Sequence, residues 1–526
     1  MPVGSAHAMP VSFATAAVLV LVLMVAFPPF WETNDDVAMS MMAHGYGLAA
    51  YASPYLLFSN IAWGQLLTFL PPIGGVLAYS WVSLATVFAT AWAVLYFMER
   101  LHIARWLGIA VVALVFTKAV AFPQFTVTAG LLTVGAVLGW RTYSQVPDVR
   151  ILILSTALAL VGFLVRYDEC VLTLVVALPL LLERRLLADR GFLLSVATLF
   201  LAAAAFSLLH AQAYDAPEWR RHGELSFLVK AFADYGALSH FAAHPELAQR
   251  HGFSLNDLAL FTRFFYVDPA IADPERLGAL LGELDPVKVA QSNLPTGIRA
   301  IRALAQPSIV ALTAAAIVLG VVLKPGRRLI AAWILFLAAI FTIGLLGRAG
   351  QIRVYYPLVA LLLLTPVFLG EPKRVRLAIA GVAIAAALPW ALSSVAGANR
   401  EWTTRHEVVS ADLSKLSPGE LYVDWGGQFP YEAAHPVLLR DDWIRRIRLY
   451  TLASSSVAPF SLAQWSDREP PGLLEQLFAG PALALIADES RLALLREYCR
   501  EHHGRQLAIE RVQRLETFSV SYVTCR

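Results

Sequence analysis

Val11-Ser-Phe-Ala-Thr-Ala-Ala-Val-Leu-Val-Leu-Val-Leu-Met-Val-Ala-Phe-Pro-Pro-Phe30, followed at once by Trp31-Glu-Thr-Asn-Asp-Asp36, is the stretch whose reading decides the fold. An apolar run of this kind matches the ~20 residues that a helix needs to cross a bilayer. No Lys or Arg occurs between Met1 and Met98, so the basic start of a cleavable signal peptide is missing and the run is read as an anchor. The two adjacent carboxylates beyond it are costly to desolvate beside lipid, so they are expected to face water, a partner or a substrate.

Composition extends that reading to the whole chain. Hydrophobic residues make up 58% and charged residues 15% of the sequence, against about 25% charged in soluble proteins. Mean hydropathy is +0.61. This is the composition of a multi-pass membrane protein. The net charge of +3 is too small to point to nucleic acid as a partner. Three cysteines exclude a disulfide-dense scaffold; Cys499 and Cys525 stand near the C-terminus as a pair that geometry decides. There is no phosphate-loop motif and no H-E-x-x-H zinc motif, which removes a nucleotide-driven pump and a zincin-type protease.

Apolar runs predict eleven spans, at 11–28, 77–98, 106–122, 125–140, 151–166, 170–183, 191–210, 303–323, 328–346, 354–370 and 377–395. The short connections on one side hold thirteen Lys and Arg residues, among them Arg100, Arg141, Arg184, Lys324, Lys373 and Arg374; the short connections on the other hold Lys118, Arg166, Arg348 and Arg353 alone. The richer set belongs in the cytoplasm. The first loop (29–76), the long segment 211–302 and the tail 396–526 then lie outside. Tyr55 to Leu70 is read as a juxtamembrane helix at the outer surface, because it is short, carries Asn60 and Gln65, and is stopped by Pro71-Pro72 and Gly74-Gly75. Its rival reading is a twelfth span, which would put Asp35 and Asp36 in the cytoplasm.

The long segment is polar with helical runs, and Ser254-x-x-Asp257 reads as a capping box. In the tail, 421–425, 482–487 and 518–523 read as strands and 491–503 as a helix. The expected architecture is an α-helical polytopic membrane domain, 1–395, with an extracytoplasmic α/β domain, 396–526.

Asp35 and Asp36 are the candidate catalytic residues. At the positive end of a short helix one carboxylate could take a proton from an acceptor hydroxyl, and the other could orient it or hold a divalent cation (Mg, Mn or Ca). The plainer reading makes Asn34 or Asp35 a helix N-cap. Asn34 and His44, about two turns on, are counted with the substrate-contacting candidates; a lone histidine is also an ordinary structural residue. Arg166, Arg348 and Arg353 suit a phosphate, whose oxygens a guanidinium binds in pairs, and Tyr355 and Tyr356 could hydrogen-bond the same group. Otherwise Arg166 pairs with Asp168 or Glu169, Arg353 snorkels, and the tyrosines anchor at the interface.

Thr33-Asn-Asp-Asp-Val, Pro54-Tyr-Leu-Leu-Phe-Ser-Asn-Ile-Ala-Trp-Gly and Gly252-Phe-Ser-Leu-Asn-Asp-Leu-Ala-Leu-Phe, set in this layout, resemble uncharacterised bacterial envelope members of the GT-C glycosyltransferase superfamily. The resemblance implies a transferase acting at the outer face of the bacterial inner (plasma) membrane. Its donor would be a polyprenyl-phosphate-linked sugar, and its acceptor a glycan, lipid or protein of the envelope. It further implies Asp35 or Asp36 as the base, arginines on the lipid phosphate, a cation in some members, and a C-terminal domain that helps choose the acceptor. The competing readings are a transporter or flippase of lipid-linked sugars and a catalytically inactive envelope assembly protein.

Overall fold

The computed structural model describes residues 5–284, 294–323, 326–369, 374–468 and 470–526. Lys324 and Lys373, counted above for orientation, and residues 285–293 of the long segment lie outside the described residues.

Among the described residues a helix lies in each of the eleven apolar runs. The first half of the bundle comprises α1 (Ser5–Ala26), then after the short α2 (Asn34–His44) and α3 (Ile61–Phe69), α4 (Ala78–Arg100), α5 (Arg105–Ala121), α6 (Phe125–Tyr143), α7 (Val149–Val165) and α8 (Tyr167–Leu181). A four-residue turn, α9 (Arg184–Leu187), leads into α10 (Arg190–Tyr214). The long segment carries α11 (Arg220–Ala233), α12 (Ala237–Ala243), α13 (Pro245–Arg250), α14 (Leu255–Thr262), α15 (Pro274–Leu281) and α16 (Leu294–Arg302). The bundle closes with α17 (Val310–Leu323), α18 (Arg327–Leu345), α19 (Ile352–Leu369) and α20 (Arg374–Leu413).

Among the described residues, six helices are long and apolar enough to cross a membrane, α1, α4, α10, α18, α19 and α20, and α16 with α17 add a seventh if that pair, bent by 84°, is one span. The bend falls at Pro307, whose missing N–H starts the span at Val310 instead of residue 303. Helices α5 and α7 have 17 residues and α8 has 15, so they fall short of that length.

α3 has nine residues, about 14 Å of helix, and cannot cross the hydrocarbon layer. Asn60 caps it, accepting the Ala62 N–H at 3.0 Å, and Gly64 lies against the Pro54 carbonyl, where a Cβ would stand 1.8 Å away. This stretch is not a twelfth span.

α6 is the buried axis of the bundle. Its glycines let two neighbours close in: a Cβ at Gly139 would stand 2.0 Å from Ser155 on α7, and one at Gly130 would stand 2.4 Å from Pro357 on α19. Packing of small residues replaces the hydrophobic drive that helices lack in lipid.

The C-terminal domain is a five-stranded sheet in the order β2-β1-β3-β5-β4, formed by β1 (Leu421–Trp425), β2 (Arg448–Leu452), β3 (Leu483–Ile486), β4 (Leu507–Arg514) and β5 (Ser519–Cys525). β1 runs parallel to β2 and β3; β5 runs antiparallel to β3 and β4. The helix Glu489–His503 is tied to β5 by a Cys499–Cys525 disulfide with Cα atoms 5.9 Å apart. No linker separates this domain from the membrane part at residue 395. α20 runs unbroken through that point for 40 residues, about 60 Å. The long segment also shares its core with the sheet: Phe232, Phe261 and Phe265 pack in one apolar cluster with Val423, Trp425 and Tyr498. The two regions form a single cap over one end of the bundle.

Candidate active site

One end of the bundle gathers the start of α2, α4, α6, α8 and α19 beneath that cap. Thr33 precedes α2 in extended conformation, and Asp35 and Asp36 fill its first turn. Consecutive helical residues point about 100° apart, so the two carboxylates face different surroundings.

Asp36 faces inward and is 1% exposed. Its Oδ1 accepts the Tyr79 hydroxyl at 3.1 Å and the Phe125 N–H at 3.0 Å, and its Oδ2 accepts the Thr33 hydroxyl at 2.9 Å. One carboxyl thereby joins the starts of α2, α4 and α6. Burial pushes it up to about 8, outweighing the pull of the donors; repulsion from Asp35 adds to the rise. Every oxygen of Asp36 is already committed, so it is a structural clasp rather than a base open to an acceptor.

Asp35 faces outward. Its Oδ2 lies 3.1 Å from Arg353 Nη1 in the first turn of α19, and both side chains are partly exposed, at 29% and 23%. Arg166, the single residue between α7 and α8, lies over the Phe125 ring with 4.8 Å from its guanidinium carbon to the centroid. The charges acting on it are Arg353, Glu169, Asp168 and Asp35. The structure therefore brings Asp35, Arg353 and Arg166 into one neighbourhood.

The remaining candidates have other partners. His44 Nε2 accepts the Tyr79 N–H at 3.2 Å, one of the free amides at the start of α4; burial and nearby Arg445 lower it to about 4. Arg348 pairs with Asp234, the residue that follows α11, at 3.8 Å. The Tyr355 hydroxyl accepts the Gly350 N–H at 3.2 Å, and the Tyr356 hydroxyl donates to the Val115 carbonyl at 2.7 Å, both inside the bundle. Asn34 abuts the cap: its Nδ2 stands 3.3 Å from where a Cβ of Gly427 would be.

Three features escaped the sequence. Lys118 pairs with Glu32 at 2.6 Å and lies over the Tyr356 ring. Glu432, on the short helix Tyr431–Ala434 against α2, sits by the Asn34 N–H; burial raises it, Arg405 opposes the rise, and Asp35 adds to it. The loop bearing it is pinned by Asp424, which accepts the Phe429 N–H at 3.0 Å and the Tyr431 hydroxyl at 2.7 Å and is raised to about 6, chiefly by burial. The run Asp424-Trp-Gly-Gly-Gln-Phe-Pro-Tyr-Glu432 held the available signal, two adjacent glycines next to a strand-end carboxylate; both glycines have positive φ.

The acidic pair does not present two open carboxylates to a cation, because Asp36 is buried with both oxygens already accepting protein donors and Asp35 already faces a guanidinium. Among the described residues, one cluster has metal-ligand character, Asp257, Glu501 and His502 in the cap. There Asp257 completes the expected capping box with Ser254 and also accepts His502 at 2.7 Å.

The fold and site define a polytopic helical membrane protein whose charged cluster lies under a mixed sheet-and-helix cap. No family model and no curated protein matches the chain. Two solved structures are similar to it over nearly their whole length. One is ArnT from Cupriavidus metallidurans in the apo state, at 14% identity and a TM-score of 0.39, covering 97% of each chain. The other is the same protein bound to undecaprenyl phosphate, at 15% identity and a TM-score of 0.37, covering 98% of this chain and 97% of that one.

Proposed function

We propose that this chain is a membrane glycosyltransferase. It moves a sugar from a polyprenyl-phosphate-linked donor to a hydroxyl of an envelope glycan, lipid or protein at the outer face of the plasma membrane. The observation that carries the reading is the partly exposed Asp35–Arg353 pair at the capped end of the bundle, with Arg166 beside it. A carboxylate held next to two guanidinium groups is what a displacement at a glycosyl phosphate needs.

In the reaction, Arg353 and Arg166 bind the lipid phosphate and stabilise the charge that grows on it. Asp35 accepts the proton of the acceptor hydroxyl as its oxygen attacks the anomeric carbon. The new C–O bond forms as the bond from that carbon to the phosphate oxygen breaks. The phosphate departs with the electron pair on its lipid, and Asp35 returns the proton to water. A single displacement inverts the anomeric centre. Asp36 sets the angle of α2, and so of Asp35, without touching substrate.

Two observations support an outer location for this end. The basic residues of the short connections crowd the opposite end of the spans. The Cys499–Cys525 bridge belongs to an oxidising compartment. The cap meets α2 through Gly427 and Glu432, which suits a role in admitting the acceptor.

The test is transfer by the purified chain in nanodiscs supplied with labelled polyprenyl-phosphate sugars, with product stereochemistry read by NMR. Inversion is expected, and retention contradicts single displacement. A cysteine at position 35 is expected to react with an impermeant thiol reagent from outside intact cells; labelling from the cytosolic side alone contradicts the orientation.

A further inference from the structure

Glu169 lies in the first turn of α8, three residues after Arg166, and is 2% exposed. Its Oε1 has no hydrogen-bond partner. Gly130 of α6 makes the space for it: a Cβ there would stand 3.1 Å from that oxygen. The Thr173 hydroxyl, one turn deeper on the same helix and fully buried, is also without a partner. Glutamate and arginine at this spacing ordinarily pair. Here the Arg166 side chain takes the face of Phe125 instead and, among the described residues, makes no salt bridge or side-chain hydrogen bond.

The pair is thus open: a guanidinium lacks an acceptor and a buried carboxylate lacks a donor. A buried acceptor without a partner is costly to keep. A ligand that satisfies both must carry acceptors and donors together. A bare phosphate serves only the arginine, and a cation serves only the glutamate. A glycosyl phosphate serves both, its phosphate oxygens on Arg166 and a sugar hydroxyl on Glu169.

We propose that Glu169 is a sugar-recognising residue of the donor site, accepting a hydrogen bond from a hydroxyl of the transferred sugar, with the Thr173 hydroxyl beyond it. The proposal rests on the glycosyltransferase reading above. It narrows the donor to a sugar without its own carboxylate, since a uronic acid would set a second carboxyl group against Glu169 where the site calls for a hydroxyl donor.

The experiment compares binding of bare undecaprenyl phosphate, undecaprenyl-phosphate-linked glucose and the corresponding glucuronic acid lipid to the full chain in nanodiscs. Wild-type protein is expected to bind the glucose lipid about tenfold tighter than the bare phosphate, the scale of one hydrogen bond to a charged group. The glucuronic acid lipid gains nothing. Glu169→Met abolishes the gain, leaves bare-phosphate binding unchanged, and raises the melting temperature because an unpaired buried carboxylate is gone; Glu169→Gln is intermediate. A Met variant that keeps the gain overturns the proposal. So does one that weakens both lipids equally while melting lower, which would make Glu169 a packing residue. Wild-type protein that binds bare and glucose lipid equally overturns the proposal and spares the enzyme reading. Wild-type protein that binds none of the three overturns both.

Discussion

Replacing Asp36 with alanine tests the division of labour between the two aspartates. The side chain receives three donors, and two of them, the Tyr79 hydroxyl and the Phe125 N–H, meet on Oδ1 in a site only 1% exposed. Alanine leaves both without an acceptor. At about 1–3 kcal/mol for each buried unsatisfied group, Asp36→Ala is expected to cost about 2–6 kcal/mol. Thr33 adds less, because water can reach it. Asparagine keeps one acceptor oxygen for the Tyr79 and Phe125 donors and can turn its amide toward Thr33, so Asp36→Asn should lie within about 1 kcal/mol of wild type at neutral pH. Wild type and Asp36→Asn also differ in pH response. Burial raises the Asp36 carboxyl from 3.8 to about 8, so the folded state holds a proton that the unfolded chain has released. That contribution is complete below the unfolded value and is lost as pH rises through about 8. Wild-type stability therefore falls across this window relative to Asp36→Asn, which does not titrate. Thermal unfolding in detergent at a series of pH values reads both effects. An asparagine variant as unstable as the alanine one would refute the reasoning, as would a wild-type-to-asparagine difference independent of pH.

Three further outcomes follow from the packing and the ion pairs. Arg353→Ala should weaken donor use about 10- to 100-fold in KM, as expected for losing hydrogen bonds to a charged group, whereas Arg348→Ala, at an arginine paired with Asp234, should leave donor KM within about twofold. Gly130→Ala drives a methyl into Pro357 and should separate α6 from α19, lowering the melting temperature; an unchanged value would contradict the close packing. Cys499→Ala opens a link spanning 26 residues and should destabilise the cap by about 3 kcal/mol, measured by limited proteolysis against temperature.

The helices were legible because each is an apolar run that stands out from its flanks, although only six of those described are long and apolar enough to cross a membrane, and the ends that moved did so at identifiable residues such as Pro307. Strands β1, β3 and β5 were legible from their apolar or alternating content. β4 was not, since Glu510, Arg511 and Arg514 mark an exposed edge that reads as polar chain. β2 follows Arg445 and Arg446 and hides behind them in sequence. The site was legible only as a region. Two neighbouring aspartates look alike in sequence, and the rotation of α2 that turns one inward is set by Tyr79 and Phe125, 43 and 89 residues away. The same distance problem hid the separate destinations of Arg348 and Arg353, only five residues apart, and the openness of Glu169, which depends on a glycine of another helix.

The account turns on Asp35 as the proton acceptor, and turnover of a labelled polyprenyl-phosphate sugar by Asp35→Asn tests it most directly. Loss of a general base predicts a fall of about 10²- to 10⁴-fold in kcat. Because the Asp35–Arg353 pair is partly exposed, the same change should alter stability by no more than about 1 kcal/mol. Turnover at the wild-type rate in a folded Asp35→Asn protein would contradict the central claim.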